Sequence, residues 1–480
     1  MIQKSLKKNA ILSALKTVVN LVFPLIIFPY ITRILGVEKI GAFNFSTSVI
    51  NYYLLLASLG ISTYAIREGI KYRNNKEEIN RFASEMYTIN MYSTFVTYAV
   101  LFLSVLFVNK LHEYLSIILL LSIEIFFVTL GKSWVFNIFE EFGKITVATI
   151  VFQIVSLVLI FAYVRNENDL LWYVVITVFA KIGTNIYYNC NTKKYCRVTF
   201  LRKTNVRVHI KPILILFATS IAATIYVNSD ITILGFLTTD YYVGLYSVSS
   251  RIYTILKQLV LAVVVVMIPR STYLFKHDMI HCQKLLNNLL EGLIVIGVPI
   301  MVGMCGFSKQ IIYIVAGESY VKANVSLEIL AFALVLAIIS SFFANCILVP
   351  NGEEKIVLKA TVISACANIV LNFILVPLYN VNAAAFTTLV SELIMVVCCG
   401  YYSLKIMKLK IGLKDVIGVT VGSCFIVGIC YFCKGIIENI YLQVSVGVIT
   451  SIGGYGMIQL LFRNSLIKEI VKPMWKKKSH

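Results

Sequence analysis

The stretch Cys190–Lys211, CNTKKYCRVTFLRKTNVRVHIK, decides how the whole chain is interpreted. It contains no Asp or Glu, and long apolar segments flank it on both sides. Its seven basic residues are Lys193, Lys194, Arg197, Arg202, Lys203, Arg207 and Lys211. A cationic link between apolar spans is typical of a segment held at the cytoplasmic face of a membrane.

The composition of the chain supports a membrane protein. Of its 480 residues, 59% are hydrophobic and only 14% are charged, whereas ordinary soluble domains are about a quarter charged. The 43 Lys and Arg outnumber the 23 Asp and Glu, and such a basic balance also occurs in nucleic-acid-binding proteins. Here the cations lie in short links between apolar spans, so we predict no nucleic-acid partner.

The apolar spans predict the fold class. A bilayer core of about 30 Å needs about 20 apolar residues per helix. By that rule the chain is an all-α polytopic membrane protein of about 14 transmembrane helices, six before the basic stretch and eight after it. The first apolar run begins at Asn9, behind Lys4, Lys7 and Lys8. Because no small-x-small cleavage site follows it, we interpret this run as a retained first helix rather than a signal peptide.

The basic residues also predict the orientation. If the N-terminus and the even-numbered links are cytoplasmic, those segments carry 32 Lys and Arg, against 7 in the opposite links. Cations at the edge of a span are counted here with the adjoining link. This bias predicts that both termini are cytoplasmic.

An internal repeat divides the chain into two halves. Ile34-Leu35-Gly36 is repeated by Ile233-Leu234-Gly235, and Gly41-Ala42-Phe43-Asn44-Phe45-Ser46 by Gly244-Leu245-Tyr246-Ser247-Val248-Ser249. Six helices per half keep the same orientation, and two parallel halves are typical of transporters with a substrate site at their interface. The predicted domains are a six-helix lobe at 1–189, a basic cytoplasmic linker at 190–211, a six-helix lobe at 212–404, and helices 13 and 14 with a basic tail at 405–480.

Seven ionisable residues are predicted at membrane depth, where each is a candidate functional residue because burying a charge in lipid is costly. They are Lys16, Glu124, Lys181, Asp230, Arg251, Lys257 and Glu392. Helical spacing places three of the lysines on polar stripes with Asn20, Asn185 and Tyr253. Structural alternatives stay open: Lys16 could snorkel to the headgroups, Asp230 could pair with Arg251, and either glutamate could carry a proton or neutralise a lysine.

The motifs of enzymes and cofactor-binding proteins are missing from the sequence. There is no GxGxxG or GxxxxGK[ST] motif and no nucleophile–base or metal-ligand spacing. Cys430 and Cys433 form a CxxC, but it lies in an apolar helix, where cysteine is usually a small core residue. We therefore predict no catalytic residues, no metal and no bound cofactor, with coupling to a proton or sodium gradient as an option.

Buried cations beside Tyr, Asn and Ser suit an anion that carries sugars. The predicted substrate-binding residues are Lys16, Asn20, Lys181, Arg251, Tyr253 and Lys257. The predicted ion-coupling or charge-pairing residues are Glu124, Asp230 and Glu392.

Several motifs resemble one family across nearly the whole chain. In the first half they are Phe23-Pro24, the run from Phe28 to Gly36, Gly41 to Asn44, Leu59-Gly60 and Tyr64 to Glu68. In the second half they are Asp230 to Gly235, Val243 to Tyr246, Asn368 to Asn372, Val376 to Tyr379, Ala383 to Ala385, and Glu392. Together they resemble the Wzx-type O-antigen and capsule flippases of the multidrug/oligosaccharidyl-lipid/polysaccharide exporter superfamily. Asn380 and Asn382 depart from the family, which usually has glycines there.

The resemblance implies a V-shaped pair of six-helix lobes in the bacterial inner membrane. It also implies alternating-access transfer of an undecaprenyl-pyrophosphate-linked oligosaccharide from the cytoplasmic to the periplasmic leaflet, alongside a polysaccharide polymerase and a chain-length regulator. The alternatives are a lipid II flippase and a cation-coupled multidrug antiporter of the same superfamily. A membrane polymerase or ligase is disfavoured because it needs a large extracytoplasmic loop.

Overall fold

A computed structural model describes residues 6–202, 206–410 and 412–462, and their side chains apart from those of 6–18, 21, 206 and 207. All regular structure in these ranges is helical. Eleven helices are long and apolar enough to cross a membrane. The prediction of an all-α, multi-pass membrane protein is therefore confirmed, and the number of fourteen helices stays a prediction.

The described residues of the first part of the chain form nine α-helices. They are α1 Leu6–Ser58, α2 Ile61–Tyr72, α3 Lys76–Phe107, α4 Asn109–His112, α5 Leu115–Gly131, α6 Ser133–Ile138, α7 Phe142–Tyr163, α8 Leu170–Thr192 and α9 Val206–Leu237. The described residues of the later part form seven. They are α10 Asp240–His277, α11 Met279–Gly306, α12 Ser308–Ala316, α13 Asn324–Phe342, α14 Glu354–Ile406, α15 Leu413–Ile436 and α16 Ile440–Leu461.

The two longest helices are each broken by one residue with a positive φ. In α1 that residue is Gly36, with φ 74° and ψ 176°. In α14 it is Asn380, with φ 49° and ψ −121°. Glycine adopts such backbone angles without steric cost, whereas a residue with a Cβ is strained there. Asn380 thus turns the chain at a position where the resembling family usually has glycine.

The chain divides after Gly244 into two compact units. This grouping differs from the predicted lobes at α9, which was assigned to the second lobe and belongs to the first unit. Close packing explains the difference, because α9 contacts both α1 and α2. At Gly60, an added Cβ would lie 3.0 Å from the backbone nitrogen of Phe217 in α9. The predicted domain boundaries stay a prediction.

Three glycines of the repeated motifs leave no room for a side chain in the first unit. A Cβ added to Gly41 would overlap the carbonyl oxygen of Asp240, and one added to Gly244 would overlap that of Val37. A Cβ at Gly235 would overlap the ring of Phe45. The two copies of the motif therefore pack against each other, and glycine is needed where one backbone approaches the other.

Between α8 and α9, the backbone of the basic stretch is hydrogen-bonded to α3. The backbone N–H groups of Arg197, Thr199 and Leu201 donate hydrogen bonds to the side chains of Asn80, Ser84 and Thr88, at 2.7, 3.1 and 3.0 Å. Acceptors four residues apart on a helix rise about 6 Å, which matches alternate N–H groups of an extended segment. Polar side chains of α3 therefore accept the backbone hydrogen bonds of this extended segment, as a neighbouring strand would in a sheet.

Candidate functional site

An ion pair joins two apolar helices of the first unit. Lys181 on α8 places its Nζ 2.7 Å from Oε2 of Glu124 on α5. The carboxylate is buried, with 9% of its side chain exposed, whereas the lysine side chain is 42% exposed. The amide of Asn185, on the same stripe, donates to the carbonyl oxygen of Lys181 at 2.9 Å and so stays on its own helix. Lys181 is therefore the accessible partner of a buried acid.

A second ion pair, in the second unit, is part of a larger network. Lys257 on α10 lies 2.6 Å from Oε1 of Glu392 on α14. The hydroxyl of Tyr253 donates to the same oxygen at 3.0 Å, and Ser340 on α13 donates to Oε2 at 3.2 Å. Lys257 also donates to the Tyr253 oxygen at 3.2 Å. Glu392, with 3% of its side chain exposed, thus accepts from three neighbours.

Both pairs follow one electrostatic rule. A carboxylate removed from water is tolerated only when a cation and further hydrogen bonds replace its solvation. The sequence left open whether Glu124 and Glu392 carry protons or neutralise lysines, and in the structure each is bonded to a lysine. Their predicted roles in substrate binding and ion coupling stay predictions.

The other predicted site residues are described one by one. The side chain of Lys16 lies outside the described residues. Asn20 is exposed and accepts a hydrogen bond from the amide of Gln153 at 3.0 Å. Asp230 is buried in the first unit, and Arg251 is exposed in the second. Their pairing stays a prediction.

A polar cluster between α1 and α9 was missed from the sequence. The amide of Asn51 donates to Asn228 at 3.2 Å, and Thr232 donates to Ser48 at 3.0 Å. Thr232 also lies 3.5 Å from the hydroxyl of Tyr52. Helical spacing could have indicated this cluster, because polar residues 48, 51 and 52 share one face of α1 and residues 228 and 232 lie one turn apart on α9. These residues are uncharged, so they do not carry the signal that a charge at membrane depth gives.

A buried histidine was also missed. The imidazole of His209 lies 2.9 Å from the Tyr64 hydroxyl and 3.1 Å from Oε2 of Glu85, and Arg81 lies 3.2 Å from the other carboxylate oxygen. The pattern predicted no role for this histidine because its partners are remote in sequence. The network joins α2, α3 and α9 and accounts for the burial of His209.

Metal and thiol chemistry find little support in the described part of the chain. No group of three or more His, Cys, Asp or Glu there could hold a metal ion. Cys430 and Cys433 are both free and buried in α15. In the basic stretch, burial raises the pKa of the Cys196 thiol to about 12, which keeps it in the unreactive protonated form at neutral pH.

The all-helical fold, with its many long apolar helices, defines the class as a multi-pass membrane protein. Residues 6–275 match the model of one family, described as "Polysaccharide biosynthesis protein". The match covers more than half of the chain, so the chain belongs to this family. The resemblance stated from the sequence motifs is thereby confirmed.

Individual relatives agree with this family, and one solved structure shares the fold. The chain is 24% identical over 400 residues to a "Putative O-antigen transporter" of Shigella dysenteriae, covering 82% of this chain and 98% of the relative. It is 22% identical to "Capsular polysaccharide biosynthesis protein CapF" of Staphylococcus aureus, covering 78% and 92%. The structure titled "Lipid II flippase MurJ, inward closed conformation" superposes with a TM-score of 0.78 at 18% identity, covering 95% of this chain and 100% of that one. At that identity the likeness shows the fold alone.

Proposed function

We propose that this protein is a flippase for a polyprenyl-pyrophosphate-linked oligosaccharide, an O-antigen or capsule repeat unit. It moves this substrate from the cytoplasmic to the outer leaflet of the bacterial cytoplasmic membrane, with both termini in the cytoplasm. The family match and the O-antigen and capsule names of the relatives support the substrate class. The excess of cations in alternate links supports the orientation.

The observation that carries the proposal is the asymmetry of the Lys181–Glu124 pair. A pyrophosphate inside a membrane protein needs a cation that it can reach, and the Lys181 side chain is 42% exposed. The buried Glu124 holds that cation in place until the anion arrives. In a multidrug antiporter the accessible charge is expected on a carboxylate, because the cargo is cationic.

The same asymmetry suggests how transport is coupled to a gradient. When the pyrophosphate draws Lys181 away, Glu124 is left as a buried carboxylate without its cation, which is costly unless another cation takes the place of the lysine. A proton or a sodium ion then replaces the lysine, and release of the anion reverses the exchange. No bound cofactor is required in this scheme. A polysaccharide polymerase and a chain-length regulator are the partners that would receive the product.

Reconstituted vesicles test the function directly. Wild-type protein is placed in proteoliposomes with a fluorescent polyprenyl-pyrophosphate oligosaccharide, and transfer is scored with an impermeant glycosidase. We expect Lys181→Met to slow transfer at least about tenfold, the loss of one charged contact, and Lys181→Arg to retain most of it. Lys144→Met is a matched control, since Lys144 has a similar 39% exposure and pairs with Glu141 at 3.7 Å near a helix end.

The outcomes separate the alternatives. Transfer of a sugar–peptide lipid in preference to the oligosaccharide lipid would identify a lipid II flippase. Export of a cationic dye without any lipid transfer would identify an antiporter and refute the proposal. Equal transfer by Lys181→Met and wild type would remove Lys181 from the substrate site and leave the flippase function supported by the family and its relatives alone.

A further inference from the structure

A groove of about 510 Å³ lies between α10 and α11 of the second unit. Its length is lined by apolar side chains, among them Val263, Met267, Leu289, Leu293 and Ile296. The volume is in the range of pockets that hold small ligands. It is separate from the Lys257–Glu392 network, because none of the residues of that network lines it.

The basic residues of the groove are gathered at one end. Arg270, His281 and Lys284 line that end, beside the turn at Asp278 that joins the two helices, and no acidic side chain lines the groove. Asp278 accepts hydrogen bonds from the backbone and the ring of His281, at 3.0 and 2.6 Å. These bonds lower the pKa of Asp278, and the bond from the backbone of His281 contributes most. Asp278 therefore stays ionised and remains hydrogen-bonded to the ring of His281. Arg270 and Lys284 are exposed and form no ion pair with another described residue.

The α11 side of the groove has about the depth of one leaflet. From Lys284 to Ile296, α11 rises about 18 Å at about 1.5 Å per residue, whereas α10 spans about 10 Å between Arg270 and Val263. Half of a bilayer core is about 15 Å. An acyl chain of a phospholipid fits this length with its headgroup beside Arg270 and Lys284, whereas a polyprenyl chain of undecaprenyl size is much longer than one leaflet is deep.

We propose that this groove binds an anionic phospholipid of the cytoplasmic leaflet, with the phosphate between Arg270 and Lys284 and one acyl chain along α10 and α11. Basic pockets between transmembrane helices at the cytoplasmic side are suited to anionic headgroups. The turn at Asp278 belongs to a link that the charge bias predicts to be cytoplasmic. The site does not depend on which substrate the protein carries.

Lipid retention by the full-length protein tests the groove. The protein is reconstituted in nanodiscs with equal amounts of phosphatidylglycerol and phosphatidylcholine, and bound lipids are counted by native mass spectrometry. We expect preferential retention of phosphatidylglycerol by wild type. The double variant Arg270→Gln/Lys284→Gln should bind phosphatidylglycerol about 30-fold more weakly, because each cation near an anionic lipid surface contributes about 1 kcal/mol. Ile296→Trp should also weaken it, by filling the deep end without a change of charge.

Two control variants guard against general effects. Lys276→Gln removes an exposed cation near the same turn, and Val266→Trp adds a ring to an exposed face of α10; neither residue lines the groove. Both should retain phosphatidylglycerol like wild type. Equal retention in all variants, or no preference over phosphatidylcholine, would overturn the proposal. Displacement of the phospholipid by an equal concentration of a polyprenyl diphosphate would also overturn it and assign the groove to the substrate.

Discussion

The two buried ion pairs use the same residue types and differ in how completely they are enclosed. In the first unit, Glu124 faces a lysine that keeps 42% of its side chain exposed. In the second unit, Lys257 keeps only 24%, and Glu392 also accepts from a tyrosine and a serine. A carboxylate with three donors holds its cation in place, whereas one with a single accessible cation can exchange it. We therefore assign exchange with the substrate to the first pair and a positioning role to the second.

The largest effect is expected from Lys257→Met. It leaves Glu392 buried without its cation, which typically costs about 3–5 kcal/mol of stability. Thermal and SDS unfolding in mixed micelles would measure the loss. The double variant Lys257→Met/Glu392→Gln should recover most of it, because no unpaired charge remains. If Lys257→Met were as stable as wild type, Glu392 would not depend on Lys257 for its burial, and the view of the second pair as an enclosed ion pair would be wrong.

A smaller loss is expected from Tyr253→Phe, which keeps the ring and removes one donor to Glu392. Hydrogen bonds to charged groups contribute about 1.5–3 kcal/mol, and the same unfolding assay measures the change. Tyr188→Phe is a suitable control in the first unit, since that hydroxyl makes only long contacts of 3.4 Å with Thr149 and Ile145. If Tyr253→Phe and Tyr188→Phe lower the free energy of unfolding equally, the hydrogen bond from Tyr253 to Glu392 contributes no more to stability than a long neutral contact.

Lys181→Met should lower stability less than Lys257→Met does, and it should reduce transport more. Partial exposure lets water screen Glu124, so we expect about 1–2 kcal/mol, between surface and buried pairs. Unfolding and vesicle transfer measured on the same preparations would test the contrast. A variant with full transfer and a loss as large as that of Lys257→Met would reverse the roles assigned to the two pairs.

The smallest effect is expected at Asn380, in the helix that carries Glu392. Asn380→Gly should raise stability by about 1 kcal/mol, because glycine relieves the strain of φ 49°. Asn380→Ala should not raise it, since alanine also has a Cβ. Unfolding midpoints would measure both. A stabilising effect of Asn380→Ala would mean that the backbone angle is not the source of the strain.

Sequence patterns anticipated some contacts among the candidate site residues and not others. The spacing of Tyr253 and Lys257 predicted one polar stripe, and the two side chains are bonded at 3.2 Å. The pattern also placed Glu124 and Lys181 at membrane depth. Which acid meets which lysine was not predictable, because the pairing depends on α5 lying beside α8. Ser340 was missed for the same reason, since a serine in an apolar helix has no signal until its neighbour is known.

The sequence alone determined that the chain crosses a membrane, that its regular structure is helical and that it is internally repeated. These properties follow from local composition and spacing, because lipid leaves the backbone few other ways to satisfy its hydrogen bonds. Tertiary structure decided which charges neutralise each other and which lysine remains accessible. It also decided that α9 packs with the first unit, through glycines that allow close approach. Such contacts join residues more than fifty positions apart, and helical periodicity carries no information about them.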